Sequence, residues 1–196
     1  MNTVGIDFGT TKTLVAAVDE RSGKPVPISL GRVGYELPTT LYVEPSHQIL
    51  FGEDADDHLA LDSRNYLPRI KRDLGTAREH VLNGRRFTPV DLAAEFLKNV
   101  RERVESEHFH GKIDHAVITV PAKYGPAARK DLETAAKSAG FTSFELLDEP
   151  IAAGIAFLDE KRESELGDEI LVFDWGGGTL DIAMVEHRNG IWHLNH

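Results

Sequence analysis

The chain has no cysteine, no long apolar run and fewer basic than acidic residues. Without cysteine it can form neither disulfides nor reactive thiolates, which fits a reducing compartment. No segment approaches the ~20 consecutive apolar residues that a membrane-spanning helix needs. Lys and Arg number 22 against 32 Asp and Glu, and the net charge of −10 argues against general affinity for nucleic acid or anionic membranes. We therefore expect a cytoplasmic protein with neither a nucleic-acid nor a membrane partner.

Two similar turns stand near opposite ends of the chain. In residues 4–14 a short apolar strand ends at Asp7 and runs into the Gly-Thr-Thr-Lys of residues 9–12. In residues 170–181 a similar strand ends at Asp174 and runs into three glycines and a threonine. Glycine permits the close backbone approach of a tight turn, and successive N–H groups in such a turn form a nest for an anion. Two such turns predict a site in which both contact one polyphosphate and its metal ion, from opposite sides.

The hydrophobic pattern between these turns predicts an α/β fold with a mixed sheet. Three strands near the N-terminus form an antiparallel meander, and strands then alternate with helices. The strands are expected at 3–8, 13–19, 26–30, 41–43, 48–51, 115–120 and 144–147, and the helices at 53–61, 89–104, 126–139 and 149–158. The strand at 115–120 is continuously apolar, which favours a strand covered on both faces.

The end of the chain is predicted to form two consecutive hairpins, with strands at 169–174, 179–186 and from 191 onward. This pattern looks like the start of a second α/β unit, and we expect the chain to be part of a longer protein. The exposed edges of the hairpin are expected to pair with a second copy by strand addition.

Two further segments carry charged groups of the kind that phosphoryl transfer requires. Residues 69–75 place adjacent bases around Lys71, and residues 147–150 place acids at the end of a strand and the start of a helix. Phosphoryl transfer needs a metal, a cation near the transferred group and an acid that orients the attacking water. The candidates for this catalytic set are Lys71, Glu149, Asp174 and Asp7.

In their order along the chain these segments resemble the motifs of the seventy-kilodalton heat-shock (DnaK-like) chaperones, which belong to the actin-like ATPase superfamily. The first phosphate motif corresponds to residues 4–11, and the lysine motif to residues 71–75. The connecting region corresponds to residues 117–122 and 147–153, and the second phosphate motif to residues 173–181. Together they extend over nearly the whole chain.

The resemblance implies an actin-like ATPase (ribonuclease H-like) fold, with a mixed sheet, flanking helices, the first lobe and the start of the second. Residues 1–38 and 112–168 would form the inner subdomain of lobe I, and residues 39–111 its outer subdomain. Residues 169–196 would be the first hairpin of lobe II.

The resemblance also assigns roles at matching positions. Asp7 and Asp174 would hold a hydrated Mg²⁺ ion, and Asp181 would support the metal site or a K⁺ ion. Lys71 would lie near the γ-phosphate and the attacking water, which Glu149 would orient. The phosphate contacts would come from Gly9, Thr10, Thr11, Lys12, Gly176, Gly177, Gly178 and Thr179.

Each of these residues also has a simpler interpretation when taken alone. Either turn can be a structural hairpin, and Lys71 can be a solvated surface lysine. Glu149 can be an acid that the dipole at a helix N-terminus favours, and Asp181 can satisfy backbone groups of the hairpin. Only the ordered combination favours a nucleotide site.

The sequence therefore predicts the ATP-binding and ATP-hydrolysing region of a DnaK-like chaperone, with ATP or ADP and Mg²⁺ as ligands. Unfolded peptide clients and co-chaperones are the partners implied for the longer protein. Lys12, where the family usually has asparagine or tyrosine, and Asp148, where it has asparagine, indicate a divergent member. A filament-forming actin-like ATPase and a sugar or acetate kinase are the alternatives. The 196-residue chain alone is expected to bind ATP weakly and hydrolyse it poorly.

Overall fold

The computed structural model describes residues 1–159, 169–175, 180–188 and 191–195. They form a mixed α/β structure, as the sequence predicts. The strands are β1 (Thr3–Phe8), β2 (Lys12–Val18), β3 (Pro25–Ile28), β4 (Leu37–Pro38), β5 (Thr40–Val43), β6 (Ile49–Phe51), β7 (Tyr66–Pro68), β8 (His80–Leu82), β9 (Arg85–Phe87), β10 (His115–Val120), β11 (Phe144–Asp148), β12 (Glu169–Trp175), β13 (Leu180–Arg188) and β14 (Ile191–Asn195). The helices are α1 (Glu53–Asp56), α2 (Pro89–Arg103), α3 (Pro126–Ser138) and α4 (Glu149–Asp159), with a 3₁₀ turn at Ile70–Asp73 and a π-helical turn at Val104–Phe109.

The central sheet has the strand order β11-β10-β1-β2-β3, and β4 pairs with the beginning of β2. The N-terminal meander is antiparallel, whereas β1, β10 and β11 run parallel to one another. Parallel neighbours need a crossover connection, and α3 supplies the one between β10 and β11. The parallel strands therefore end at the same edge of the sheet, where the candidate site lies.

The main core packs one face of this sheet against α2 and α3. Val4, Ile6 and Phe8 alternate along β1 and are buried, and the Phe8 ring stacks on Phe96 of α2 with 5.7 Å between centroids. Each such fully buried side chain contributes about 1.5–3 kcal/mol. The alternation of apolar residues in β1 is thus the direct cause of its orientation in the sheet.

Strand β10 is less enclosed than the sequence predicts. Ala116, Ile118 and Val120 are fully buried, but Val117 and Thr119 on the opposite face are only partly buried. The predicted cover on both faces is therefore complete on one face and partial on the other among the described residues. Helix α4 also contacts this strand.

A small outer unit is inserted between β4 and α2. It contains the sheet β6-β5-β7 and the hairpin β8-β9. The hairpin turns at Asn83-Gly84, where both residues have positive φ, as a tight two-residue turn requires. The predicted helix at 53–61 was wrong beyond Asp56, because Leu59 and Leu61 are exposed and offer no apolar stripe to bury.

The last three strands form a separate sheet in the order β12-β13-β14. Helix α4 packs against this sheet. Cross-strand pairs Leu171–Met184 and Phe173–Ile182 share one face and are exposed among the described residues. Pairing of the outer strands with a second copy stays a prediction. Within the ranges given above, no helix is both long and apolar enough to span a bilayer.

Helix α2 begins with a reciprocal cap, which yields a testable prediction. The Asp91 N–H donates to Thr88 Oγ1 at 3.1 Å, and Asp91 Oδ2 accepts from the Thr88 N–H at 2.8 Å. Thr88→Ala removes the hydroxyl and should lower the free energy of unfolding by about 1 kcal/mol, whereas Thr88→Ser should change it little. Urea denaturation followed by circular dichroism measures both. Equal stability of the Ala variant and the wild type would contradict this account of the cap.

Candidate functional site

A cavity of about 590 Å³ opens where β1, β10, β11 and β12 end. Its volume lies within the ~300–1,000 Å³ range of small-molecule sites. The predicted site residues that line it are Asp7, Gly9, Thr10, Thr11, Lys12, Glu149 and Asp174. Residues far apart in the sequence thus meet at one cavity.

The first predicted phosphate turn connects β1 to β2. The Gly9 N–H donates to the Asp7 carbonyl at 3.0 Å. A Cβ atom at Gly9 would lie 2.3 Å from the Lys12 carbonyl oxygen, so no larger residue fits without opening the turn. The Thr39 N–H donates to the Thr11 carbonyl at 2.8 Å and fastens the turn to the chain after β4.

Asp7 stands at the cavity wall with one oxygen held by the protein. Thr119 of β10 donates its hydroxyl to Asp7 Oδ1 at 2.8 Å. This contact follows from the parallel register, which places Ile118 beside Ile6. Among the described residues no side chain binds the other oxygen of Asp7. An oriented, exposed carboxylate of this kind suits a hydrated Mg²⁺ ion, which is bound through one or two carboxylates and keeps several waters.

Lys71 lies in the 3₁₀ turn and is almost completely buried. Its ammonium donates to Glu149 Oε1 at 2.7 Å, and the two side chains are 1% and 17% exposed. The Lys71 Nζ lies 5.6 Å from the Phe8 ring centroid and 5.7 Å from that of Tyr124. The Tyr124 hydroxyl donates to the Lys71 carbonyl at 2.7 Å. Lys71 is therefore not the solvated surface lysine that its residue type alone suggests.

Burial and charge act in opposite directions on this ion pair. Burial lowers the pKa of Lys71, while the Glu149 carboxylate and, to a smaller extent, Asp7 and Asp174 raise it. Burial raises the pKa of Glu149, and the Lys71 ammonium lowers it. Burial and the negative charge of Glu149 also raise the pKa of Tyr124. The Lys71 ammonium therefore interacts electrostatically with three carboxylates, those of Glu149, Asp7 and Asp174.

Glu149 reaches this position because it is the first residue of α4, directly after β11. Strand β11 runs parallel to β10 and ends beside it. The preceding residue, Asp148, forms a salt bridge with Arg129 of α3. The Arg129 Nε also donates to the Tyr124 carbonyl at 3.0 Å, so these contacts join α3, β11 and the loop after β10.

Asp174 stands near the end of β12 and is partly buried. Its backbone neighbour on β13 is Asp181, whose strand position but not its side chain belongs to the described part of the structure. The predicted phosphate contacts at residues 176–179 lie outside the described residues. Among the described side chains, no group of three or more His, Asp and Glu residues is arranged to hold a metal ion.

Sequence reasoning missed several residues of the cavity. Glu36, Arg69, Arg72 and Tyr124 all line it. Arg69 was noticed only as part of the basic segment around Lys71, whereas Arg72 stands out in the sequence as one of the few candidate cations. Nothing in the local sequence around Glu36 indicates a site, because only the pairing of β4 with β2 brings it beside Lys12. Thr119 could have been found from its alternation with the buried residues of β10.

Comparisons with known proteins agree with these features. The family model described as Hsp70 protein matches residues 3–196. The chaperone protein DnaK of Thermosipho melanesiensis is 34% identical over 190 residues, which are 96% of this chain and 31% of that protein. DnaK of Methanothermobacter thermautotrophicus is 33% identical over 196 residues, or 97% of this chain and 32% of that protein. The chain spans about a third of the length of the curated relatives it matches.

The family match covers every helix and strand described above. The mixed sheet with flanking helices is consistent with the actin-like ATPase fold of that family, which confirms the fold predicted from the motifs. The chain belongs to the Hsp70 protein family.

Proposed function

We propose that this chain forms one side of the ATP-binding and ATP-hydrolysing site of an Hsp70-type chaperone. One observation carries the proposal: the strand-end carboxylates Asp7 and Asp174 line one cavity together with Glu149, whose carboxylate binds the buried ammonium of Lys71 directly behind it. A cavity with carboxylates for a metal, an adjacent backbone nest and a fixed ammonium has the parts that phosphoryl transfer needs. Membership of the Hsp70 family favours this function over the filament-forming and kinase alternatives.

The proposed roles follow from these positions. The N–H groups and hydroxyls of Thr10 and Thr11 bind phosphate oxygens, while Gly9, whose own N–H is bound to the Asp7 carbonyl, allows the backbone to approach the phosphates closely. Asp7 and Asp174 would hold a Mg²⁺ ion, which when bound neutralises phosphate charge. The Glu149 carboxylate accepts a hydrogen bond from the Lys71 ammonium or from an attacking water. Hydrolysis would proceed by direct attack of water, without a covalent enzyme intermediate.

Lys71 contributes a fixed positive charge to this arrangement. Its burial between two aromatic rings limits the competing hydration of the ammonium, which strengthens its interaction with developing negative charge. The ion pair with Glu149 holds the ammonium in place before the phosphates arrive. Preorganised charge of this kind requires little rearrangement during the reaction.

Several finer assignments belong to the same proposal. Residues 176–179 would supply the second phosphate turn, and Asp181 would support the metal site or a K⁺ ion. The inner subdomain would comprise residues 1–38 and 112–168, the outer subdomain residues 39–111, and the start of lobe II residues 169–196. Peptide clients, co-chaperones and a cytoplasmic location are expected for a protein of this family.

The carboxylates give the first test. In isothermal titration with ATP, Asp7→Asn and Asp174→Asn should each reduce the affinity gained on adding Mg²⁺ by about tenfold or more, because each removes a metal ligand. Binding of Mg²⁺-free ATP should stay equal or tighten, because a repelling charge is lost. Asp57→Asn, an exposed carboxylate that pairs with Arg32 away from the cavity, is the matched control and should change neither value.

Hydrolysis is measured in single-turnover assays on this chain and, where the gene extends further, on its full-length product. Lys71→Ala should lower the rate by about 100-fold or more, because it removes a preorganised charge. No ATP binding by the folded wild-type protein would overturn the proposed function. Retention of the Mg²⁺-dependent gain in both aspartate variants would overturn the metal assignment.

The buried ion pair generates a stability prediction. Lys71→Met leaves the Glu149 carboxylate uncompensated and should lower the free energy of unfolding by about 3 kcal/mol, whereas Lys71→Met/Glu149→Gln should cost less. Urea unfolding measures both. Lys130→Met, which alters an exposed pair with Glu133, is the control and should have little effect.

The same variant should depend on pH in a defined direction. Burial already raises the pKa of Glu149, and loss of the Lys71 charge raises this pKa further. A folded-state pKa above the unfolded one favours folding below the unfolded-state pKa, and the benefit is lost as pH rises through the folded-state pKa. The loss in free energy of unfolding caused by Lys71→Met should therefore be smaller near pH 5 than near pH 8, as measured by urea unfolding at both pH values. A deficit that grows at low pH would contradict this.

A further inference from the structure

An ion pair that the proposed mechanism does not use stands at the rim of the cavity. Lys12 is both the last residue of the phosphate turn and the first residue of β2, and its ammonium binds the Glu36 carboxylate. Both side chains are about half exposed, at 55% and 50%, and both line the cavity. Glu36 precedes β4, whose Pro38 pairs with Lys12 through the backbone.

This ion pair is not needed to hold β4 in place. The backbone pairs Lys12–Pro38 and Thr13–Leu37 join β4 to β2. The buried hydroxyls of Thr13 and Thr39 add a hydrogen bond of 2.9 Å. An exposed ion pair contributes only about 0–1 kcal/mol, so its loss should hardly disturb the fold.

The charge of Glu36 is also unfavourable for an anionic ligand. The cavity already contains the carboxylates of Asp7, Glu149 and Asp174. Unlike Asp7 and Asp174, Glu36 lies next to a lysine that occupies the phosphate turn. A phosphate at that turn would need the same ammonium that Glu36 now holds.

We propose that Glu36 and the phosphates of the ligand compete for the Lys12 ammonium, so that Glu36 limits the affinity of the site for phosphate-bearing ligands. This inference rests on the proposed function. Lysine carries a compact charge with three donors on a flexible stem, which allows it to move from one anion to the other. Because Glu36 is half exposed, water can solvate its carboxylate after the lysine leaves.

The competition predicts opposite effects for the two side chains. Glu36→Gln releases Lys12 and should tighten ATP binding about two- to fivefold, the range that the loss of an exposed ion pair allows. Lys12→Asn removes a phosphate contact and should weaken binding about three- to tenfold. Adenosine has no phosphate, and its affinity should respond to neither change.

The test is a double-mutant cycle with Glu36→Gln, Lys12→Asn and the double variant, by titration of Mg-ATP and of adenosine. Glu36→Gln should tighten ATP binding more when Lys12 is present than when residue 12 is asparagine, because only the first case ends a competition. Glu133→Gln removes the same charge from an exposed pair outside the cavity and is the control for net charge. Circular dichroism melts confirm that every variant is folded.

Each outcome decides the inference. A larger gain in the presence of Lys12, together with unchanged adenosine affinity, supports it. Equal gains in both backgrounds, or a gain as large for Glu133→Gln, would mean simple charge repulsion and overturn it. Weaker ATP binding by Glu36→Gln would show that Glu36 orients Lys12 toward the ligand, and this too overturns the competition. If the wild-type protein binds no ATP, the proposed function fails and the inference falls with it.

Discussion

The parallel pairing of β1, β10 and β11 is the constraint on which the site depends. Parallel strands in register end at the same edge of a sheet. Asp7 at the end of β1, Thr119 near the end of β10 and Glu149 just after β11 therefore converge, although up to 142 positions separate them in the chain. The antiparallel pairing of β1 with β2 then folds the glycine turn back over the same edge. Burial of the alternate apolar side chains fixes this register, because a slip by one residue would turn Asp7 into the core.

The buried ion pair connects the inserted outer unit to this edge. Lys71 comes from the turn between β7 and β8, whereas Glu149 belongs to α4 beside the central sheet. A buried pair of this kind gives little net stability, because desolvation offsets the attraction. Under the proposed function, the pair would instead hold a fixed ammonium next to the cavity-lining carboxylate of Glu149. The Tyr124 hydroxyl, which binds the Lys71 carbonyl, adds a second connection at the same point.

The rim of the cavity differs from its floor in how charge is held. Lys71 and Glu149 are buried, mutually compensated and oriented, so solvent screens them little. Lys12 and Glu36 are half exposed and rest on flexible stems, so their interaction is weak and reversible. Under the proposed function, the buried pair would supply a fixed charge to the site, and the half-exposed pair an adjustable one. The second arrangement depends on Lys12, a residue at which the chain departs from the usual family pattern.

The sequence by itself determined much of the element pattern. Alternation in β1, the cap of α2 at Thr88 and Gly140, whose positive φ of 92° ends α3, act over a few residues, so their effects can be recognised locally. The short strands β4 and β7 and the hairpin β8-β9 went unpredicted, although the Asn83-Gly84 turn marks the hairpin. Two-residue and three-residue strands contain too few side chains for a period, and their pairing is set by neighbours distant in the chain.

For the site, the motifs in their order were enough to predict the family, and the roles that they suggest for Asp7, Lys71, Glu149 and Asp174 stay predictions. Only the tertiary structure decided which charges meet. The burial of Lys71, the hydroxyl of Thr119 on Asp7 and the pairing of Glu36 with Lys12 all join segments that are remote in sequence. Such contacts depend on strand order and on the packing of the outer unit, and their energies arise from desolvation, which no local pattern of residues records.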